Sequence, residues 1–413
     1  MSAPLSRPKR KNPLLRTRLP TIPPMARSRV AQGLTSAAAC GVFALQRCSE
    51  CAQVQYPPRE ACVNCLSARL RWHAMDGAGE LLARTAIRQG QELYFRERAP
   101  WRAGLVKLDQ GPTVLAALHG DCAPPPSRVR LRLALDRGGQ ALMIALPEKD
   151  TPHMEDDPLM RETSSDAKFR KALVTDAKTR TGRAMVEALV AAGADLVWAG
   201  YAEPWKPSPQ LDALRELEEV TPVPLDVTDE SSVRELAGSI GAKVDIIVNT
   251  AEHHRANAIT SPGVETARAE MEVNYFGLLR LAQAFAPALR TRAADGAAHA
   301  TAWVNILSVY ALTNFPQHGT FSASKAAALS LAQALRAELQ PSGIRVVNVF
   351  PGPIDDEWNQ LVLPTKLSAE ALAASVVDAL RRGIEDVYPG AAAKDWLERF
   401  EDDPKALERE LAR

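Results

Sequence analysis

The sequence predicts an α/β protein: a doubly wound parallel sheet preceded by a small all-β module with a metal knuckle. Three observations carry this. Two CxxC pairs, Cys48 with Cys51 and Cys62 with Cys65, stand ten residues apart. Short apolar runs broken by Gly and Pro follow over residues 78–135. From Lys171 onward, buried-type strands alternate with amphipathic helical stretches, the pattern of βαβ units.

At 413 residues the chain is too long for one ordinary domain. Its formal net charge is +1, so overall charge selects neither a nucleic-acid nor an acidic partner. No apolar run reaches the roughly 20 residues that a membrane span needs. Residues 1–40 read as a basic arm and a short docking helix. No acidic residue precedes Glu50, and "RPKRKNPLLRTRLPTIPP" is rich in Arg, Lys and Pro. Those prolines would break the amphipathic helix of a transit peptide. The arm is therefore read as disordered, and the location as cytoplasmic.

Residues 41–75 form the knuckle. Each CxxC pair can present two thiolates to one tetrahedral ion, and the intervening hairpin brings the pairs together. So small a segment cannot build its own core, and bound metal must supply much of its stability. Structural Zn2+ on Cys48, Cys51, Cys62 and Cys65 is the expectation; a redox dithiol would make the pairing of the two motifs incidental. Cys40 and Cys122 are expected to be buried thiols. Residues 76–147 supply the strands "GELLARTAI", "AGLVKLD", "TVLAALHG" and "RVRLRLAL". Arg128, Arg130 and Arg132 alternate with Val129, Leu131 and Leu133, so one strand face is basic and the other apolar. The basic face is either a phosphate-binding surface or a solvated exterior. Tyr94, Phe95 and Trp101, beside Arg96, Arg98 and Arg102, either form a docking patch or close the module. Residues 148–169 are polar and lack periodicity, and read as a linker.

"LQRCSECAQVQYPPREACVNC" with the strands that follow resembles the OB-fold family carrying a rubredoxin-like zinc ribbon, over roughly residues 38–147. That family accompanies thiolases and other acyl-CoA enzymes, so the resemblance implies an acyl-CoA-binding or partner-docking module. An OB-fold also suits single-stranded nucleic acid when aromatics recur along a basic groove. Here they cluster in one loop, which argues against that use.

Residues 170–413 contain "KALVTDAKTRTGRAMVEAL", "LDVTD", "VNTAE", "NYFG", "NILSVYA", "FSASK" and "NVFPGPI" in that order. They resemble the short-chain dehydrogenase/reductase family, which implies a Rossmann-type domain. In "GRAMVEALVAAG" the apolar face is Met185, Ala188, Leu189 and Ala192. The family's glycine turn, TGxxxGxG, here begins Thr175, Asp176, runs through Arg180 and keeps only Gly182. The lost glycines are those that let backbone approach a pyrophosphate. Asp176 adds a carboxylate whose repulsion of a phosphate at ~5 Å costs about 3 kcal/mol at an effective dielectric of ~20. The NNAG stretch reads Asn249, Thr250, Ala251, Glu252, a second acidic residue at a glycine position. Asp226 matches an adenine-contacting aspartate and can equally cap the turn after it. Ordinary NAD(P) binding is therefore not expected.

Among the positions matching the family's catalytic group, Asn274, Ser308 and Lys325 are retained, and the resemblance implies that Lys325 stands where the family's lysine holds the cofactor ribose. Phe321 occupies the place of the proton-transferring tyrosine. A phenyl ring performs no acid–base chemistry, worth typically ~10²–10⁴-fold. Tyr310 and His318 are nearby in sequence as substitute acids.

The expected protein is thus a non-catalytic subunit that pairs with an active short-chain dehydrogenase, a thiolase, or both, on 3-hydroxyacyl-CoA and 3-oxoacyl-CoA. The competing readings are an active NAD(P)-dependent oxidoreductase using Ser308 and Lys325 with a substitute acid, and a CoA- or nucleic-acid-binding module. Ala326, Leu329, Ala332 and Leu335 recur at helical spacing, as do Leu278, Leu281, Ala282 and Phe285. These two faces are expected to divide between the protein's own core and a hetero-oligomer or homodimer interface.

Overall fold

The computed structural model describes residues 2–7, 21–25, 27–294, 301–356, 359 and 365–412. The basic arm of residues 8–20 lies outside them. The chain divides into two compact units, the first built on Thr21–Ser165 and the second beginning at Asp166. No helix among the described residues is long and apolar enough to cross a membrane.

In the first unit, helix α1 (Gln32–Ala39) precedes a three-stranded antiparallel ribbon of β1 (Ala44–Cys48), β2 (Val54–Gln55) and β3 (Leu70–Ala74), ordered β2-β1-β3. Next come β4 (Ala78–Ile87), helix α2 (Leu93–Glu97), β5 (Trp101–Leu108), β6 (Thr113–Leu118), β7 (Ser127–Leu135) and β8 (Ala141–Pro147). These strands close into a barrel in the order β4-β5-β6-β8-β7. Closure leaves no open sheet edge. Alternation fills the interior: Leu81, Val106, Leu108, Val114, Val129 and Leu133 point in and are buried. On the other face of β7, the arginines meet the protein's own carboxylates. Arg128 makes two hydrogen bonds to Asp109, at 2.8 and 2.6 Å, and Arg130 pairs with Asp150. Both are surface pairs, with the two arginine side chains still 44% exposed.

The aromatic loop is tied to the segment that follows the barrel. Tyr94 is buried, Arg98 lies over its ring at 4.1 Å, and both donate to Glu162. Glu162 belongs to the segment expected to be a linker. That segment instead forms helix α3 (Pro158–Thr163) and buries Met154 and Met160 against Ala134, Ile144 and Leu146. Asp157 caps α3 through Leu159 and also accepts from Gly120, which anchors the segment to the barrel. Cys122 is buried as expected, with Sγ on the Ala145 carbonyl at 3.3 Å, but Cys40 is exposed at the end of α1.

The second unit is a seven-stranded parallel sheet. In chain order it runs β9 (Lys171–Val174), α4 (Arg180–Ala191), β10 (Leu196–Tyr201), α5 (Pro209–Leu214), β11 (Val220–Pro224), α6 (Glu230–Ile240) and β12 (Ile246–Asn249). Helix α7 (Glu265–Met271) leads through a π-type turn, Glu272–Gly277, into α8 (Leu278–Arg292). Then follow β13 (Ala302–Ile306), α9 (Gly319–Leu339), β14 (Arg345–Val349), α10 (Ala369–Arg382), β15 (Asp386–Val387), α11 (Gly390–Asp402) and α12 (Pro404–Leu411). The strand order is β11-β10-β9-β12-β13-β14-β15. It reverses between β9 and β12, and ligands of such sheets bind outside the carboxyl ends at that switch.

Near-continuous apolar strands fit a sheet covered on both faces: Leu173, Ile247, Trp303 and Val346 are fully buried. Met185 and Leu189 of α4 are buried as expected, whereas Ala188 and Ala192 are half-buried and Val186 joins the core. Leu278, Leu281, Ala282 and Phe285 all pack into the core, as do Ala332 and Leu335. Within the second set, Ala326 is exposed and Leu329 half-buried. The outward side of α9 carries Ala326, Ser330, Ala334 and Ala337, with Phe276 exposed before α8.

Candidate functional site

The four cysteines are gathered where they could hold one metal ion. Cys48 ends β1 and Cys51 follows in the turn, while Cys62 and Cys65 sit in the next loop. All four Sγ atoms lie within 4.8 Å of one another. Two of the separations, Cys48–Cys65 and Cys51–Cys62, are each 3.6 Å. The edge of a tetrahedral four-thiolate zinc site, with Zn–S near 2.3 Å, is about 3.8 Å. The backbone N–H groups of Glu50 and Asn64 point at Cys48 and Cys62 Sγ at 3.4 Å each. Donors of this kind favour thiolates, the form that binds metal.

The second centre lies at the β9/β12 switch. Thr175, just past β9, donates its hydroxyl to Asn249 Oδ1 at 2.9 Å and accepts from the N–H groups of Thr250 and Ala251. Asp176 does not extend freely into the cleft: its Oδ1 accepts the Lys178 N–H at 3.0 Å, an Asx turn. Its backbone N–H donates to Thr250 Oγ1 at 3.0 Å. Lys178 Nζ turns to the Ala202 carbonyl at 3.1 Å, and Arg180 faces Asp355 at 3.6 Å on the surface. The surviving glycine serves the turn itself, because a Cβ on Gly182 would stand 1.7 Å from the Asp176 carbonyl oxygen. Asp226 caps its own turn, accepting both the N–H and the hydroxyl of Thr228 at 2.9 and 2.7 Å.

The remaining positions converge. Asn274, set by the π-type turn, accepts the His253 N–H at 3.0 Å and donates to the His253 carbonyl and to Ser324 Oγ. Ser308 is buried and accepts the Tyr310 N–H. Lys325 is buried in α9, donating to the Ile306 carbonyl at 3.0 Å and meeting Glu252 Oε2 at 2.7 Å. Glu252 therefore answers Lys325 rather than standing as an uncompensated charge beside the phosphate site.

Phe321 is buried in the first turn of α9. His254 stacks on its ring at 3.8 Å, with Lys325 Nζ 5.4 Å away. His254 Nε2 and His318 Nδ1 share a hydrogen bond of 2.9 Å. Tyr310 stacks on Phe315 at 5.1 Å, and burial pushes its hydroxyl up to about 12. Rings thus fill the place where an acid would stand. Of the two substitutes named from the sequence, His318 hydrogen-bonds His254 and the Tyr310 ring lies stacked on Phe315. Burial also holds both histidines below their ordinary value, His254 down to about 4. Sequence reasoning missed His254, although it lies two residues beyond Glu252 in a stretch that continues the altered motif.

A family model described as short chain dehydrogenase matches residues 170–366. Models described as the ChsH2 rubredoxin-like zinc ribbon domain and the ChsH2 C-terminal OB-fold domain match residues 35–71 and 72–134. The chain is 37% identical over 145 residues to Short-chain dehydrogenase PC-15 of Penicillium crustosum, covering 34% of this chain and 51% of that protein. It thus spans about half the length of the first curated relatives it matches. An uncharacterized oxidoreductase of Staphylococcus haemolyticus is 30% identical over 220 residues, covering 51% of this chain and 90% of that one. Among solved structures, a short chain dehydrogenase from Burkholderia cenocepacia in complex with NADP is 36% identical, with a TM-score of 0.54. That match covers 59% of this chain and 98% of the other.

Elemental analysis of the purified protein is expected to give about one zinc per chain. The double variant Cys48→Ser/Cys62→Ser should lose it, and unchanged zinc would contradict the assignment. His254 predicts an acid-side loss of stability. Unfolded, its imidazole binds a proton near 6.5; folded, only near 4. The unfolded state therefore binds more protons across that window. Stability is level above pH ~6.5 and falls towards pH 4, by up to about 3 kcal/mol. Urea midpoints measured across that range should flatten in His254→Phe, and an equally steep fall in that variant would refute the assignment.

Proposed function

Because the chain belongs to the short-chain dehydrogenase family through its second unit, we propose that it is a non-catalytic subunit of that family. It carries its zinc-ribbon/OB module as a docking or acyl-CoA-binding part. It works in the cytoplasm beside an active dehydrogenase, a thiolase, or both, on 3-hydroxyacyl-CoA and 3-oxoacyl-CoA. The observation that carries the reading is Phe321, buried under His254 where the family's tyrosine would present its hydroxyl. The likeness of residues 35–134 to the ChsH2 zinc ribbon and OB-fold supports the acyl-CoA part, in keeping with the association the sequence resemblance implies. A four-thiolate metal site also suits a reducing compartment. The pairing of Arg128 and Arg130 with Asp109 and Asp150 weakens the nucleic-acid reading, which needs exposed cationic charge.

The isolated protein is expected to show no turnover of 3-hydroxyacyl-CoA with NAD or NADP, and Phe321→Tyr alone should not restore it. Robust turnover by the wild type, lost in Tyr310→Phe or His318→Ala, would establish a substitute acid instead. Partnership is tested by co-purification from the native source followed by mass measurement. A complex with a second dehydrogenase subunit is expected, with a homodimer as the form of the isolated chain. Ala334→Arg, on the outward side of α9, should dissociate either assembly without unfolding it. A strictly monomeric protein that recruits neither a dehydrogenase nor a thiolase would remove the proposed role.

A further inference from the structure

Lys325 is 3% exposed and Glu252 15% exposed, and their 2.7 Å contact is a buried ion pair. Its geometry is imposed from both sides of Glu252. Upstream, the backbone of Thr250 and Ala251 is held by Thr175 Oγ1 at 3.0 and 3.1 Å. Downstream, the N–H and carbonyl of His253 are both clamped by Asn274, at 3.0 and 2.9 Å. Glu252 hangs between two fixed points, within reach of a buried ammonium that needs a counter-charge. One other acceptor of Lys325 Nζ is the Ile306 carbonyl. A ligand hydroxyl seeking Nζ must therefore compete with a carboxylate at charge-assisted hydrogen-bond distance, and displacing it would leave that largely buried carboxylate without its counter-charge.

We propose that Glu252 is the residue that bars dinucleotides from this cleft: by holding Lys325 it takes the place of the ribose hydroxyls of a nicotinamide cofactor. This rests on the reading of the second unit as a dehydrogenase scaffold without its chemistry, and it assigns the loss of cofactor to one side chain. The altered turn contributes less. Asp176 is folded into its Asx turn, and Lys178 and Arg180 stand nearby as positive charges.

The test is calorimetric titration of the full-length zinc-loaded protein with NADPH and NADH, with thermal melting to confirm folding of each variant. Wild type should bind only at millimolar levels, about −4 kcal/mol. Glu252→Gly should bind at least tenfold tighter, roughly 1.4 kcal/mol, with Glu252→Gln in between. The gain should vanish in Glu252→Gly/Lys325→Met, because it is the released ammonium that binds. A gain that survives Lys325→Met would be general relief of negative charge and would overturn the assignment. So would folded Glu252→Gly and Glu252→Gln proteins that bind no tighter than wild type. Should Glu252→Gly fail to fold, Glu252→Gln alone decides. These outcomes are separate from turnover by the wild type, which would sink the non-catalytic reading whatever the affinities.

Discussion

The hydroxyl of Thr175 ties together the two strands between which the sheet reverses. It donates to Asn249 at the end of β12 and accepts from the two N–H groups that follow, so the carboxyl ends of β9 and β12 are held in one register. Everything at the second centre is set from there. Asp176 begins the turn into α4 with its N–H on Thr250, and Glu252 leaves the Thr175 clamp aimed at Lys325. The retained Asn274 continues the same construction, joining the loop after β12 to α9 through His253 and Ser324. Such a fully bonded polar network favours a single arrangement. It persists here around a pocket that its own side chains fill.

The filling is of two kinds, and each replaces one thing that a reaction would need. Phe321 and His254 put stacked rings in the place of a proton donor. Glu252 puts a carboxylate in the place of a ligand. The charges are matched within the protein, Glu252 against Lys325. The first unit follows the same economy: Arg128 and Arg130 are answered by Asp109 and Asp150, and Arg98 by Glu162.

Much of this was legible in the sequence wherever spacing along the chain encodes geometry. The paired CxxC motifs placed four sulfurs together, and the alternation of β7 placed its arginines outward. The order of motifs after Lys171 announced the parallel sheet. What was not legible depends on partners distant in sequence. β11 does not read as a strand because Pro222 and Pro224 disguise it; as an edge strand it tolerates residues that cannot donate. Residues 148–169 lack periodicity, yet Met154 and Met160 need only a few apolar contacts to dock the segment. The faces expected to divide between core and interface lie largely in the core, Ala326 and Leu329 apart, since helical periodicity cannot distinguish the two kinds of burial. Glu252 was recognised as a misplaced charge, but that Lys325 would neutralise it could be seen only once α9 lay against β12.

The central claim is that the cleft at the β9/β12 switch is closed by the protein's own side chains. Hydrogen–deuterium exchange of the intact protein, with and without NADPH at a concentration that saturates an active relative, tests it most directly. The account predicts unchanged exchange over residues 175–182 and 249–254. Protection of both segments by NADPH would show that the cleft still takes a dinucleotide and would contradict the account.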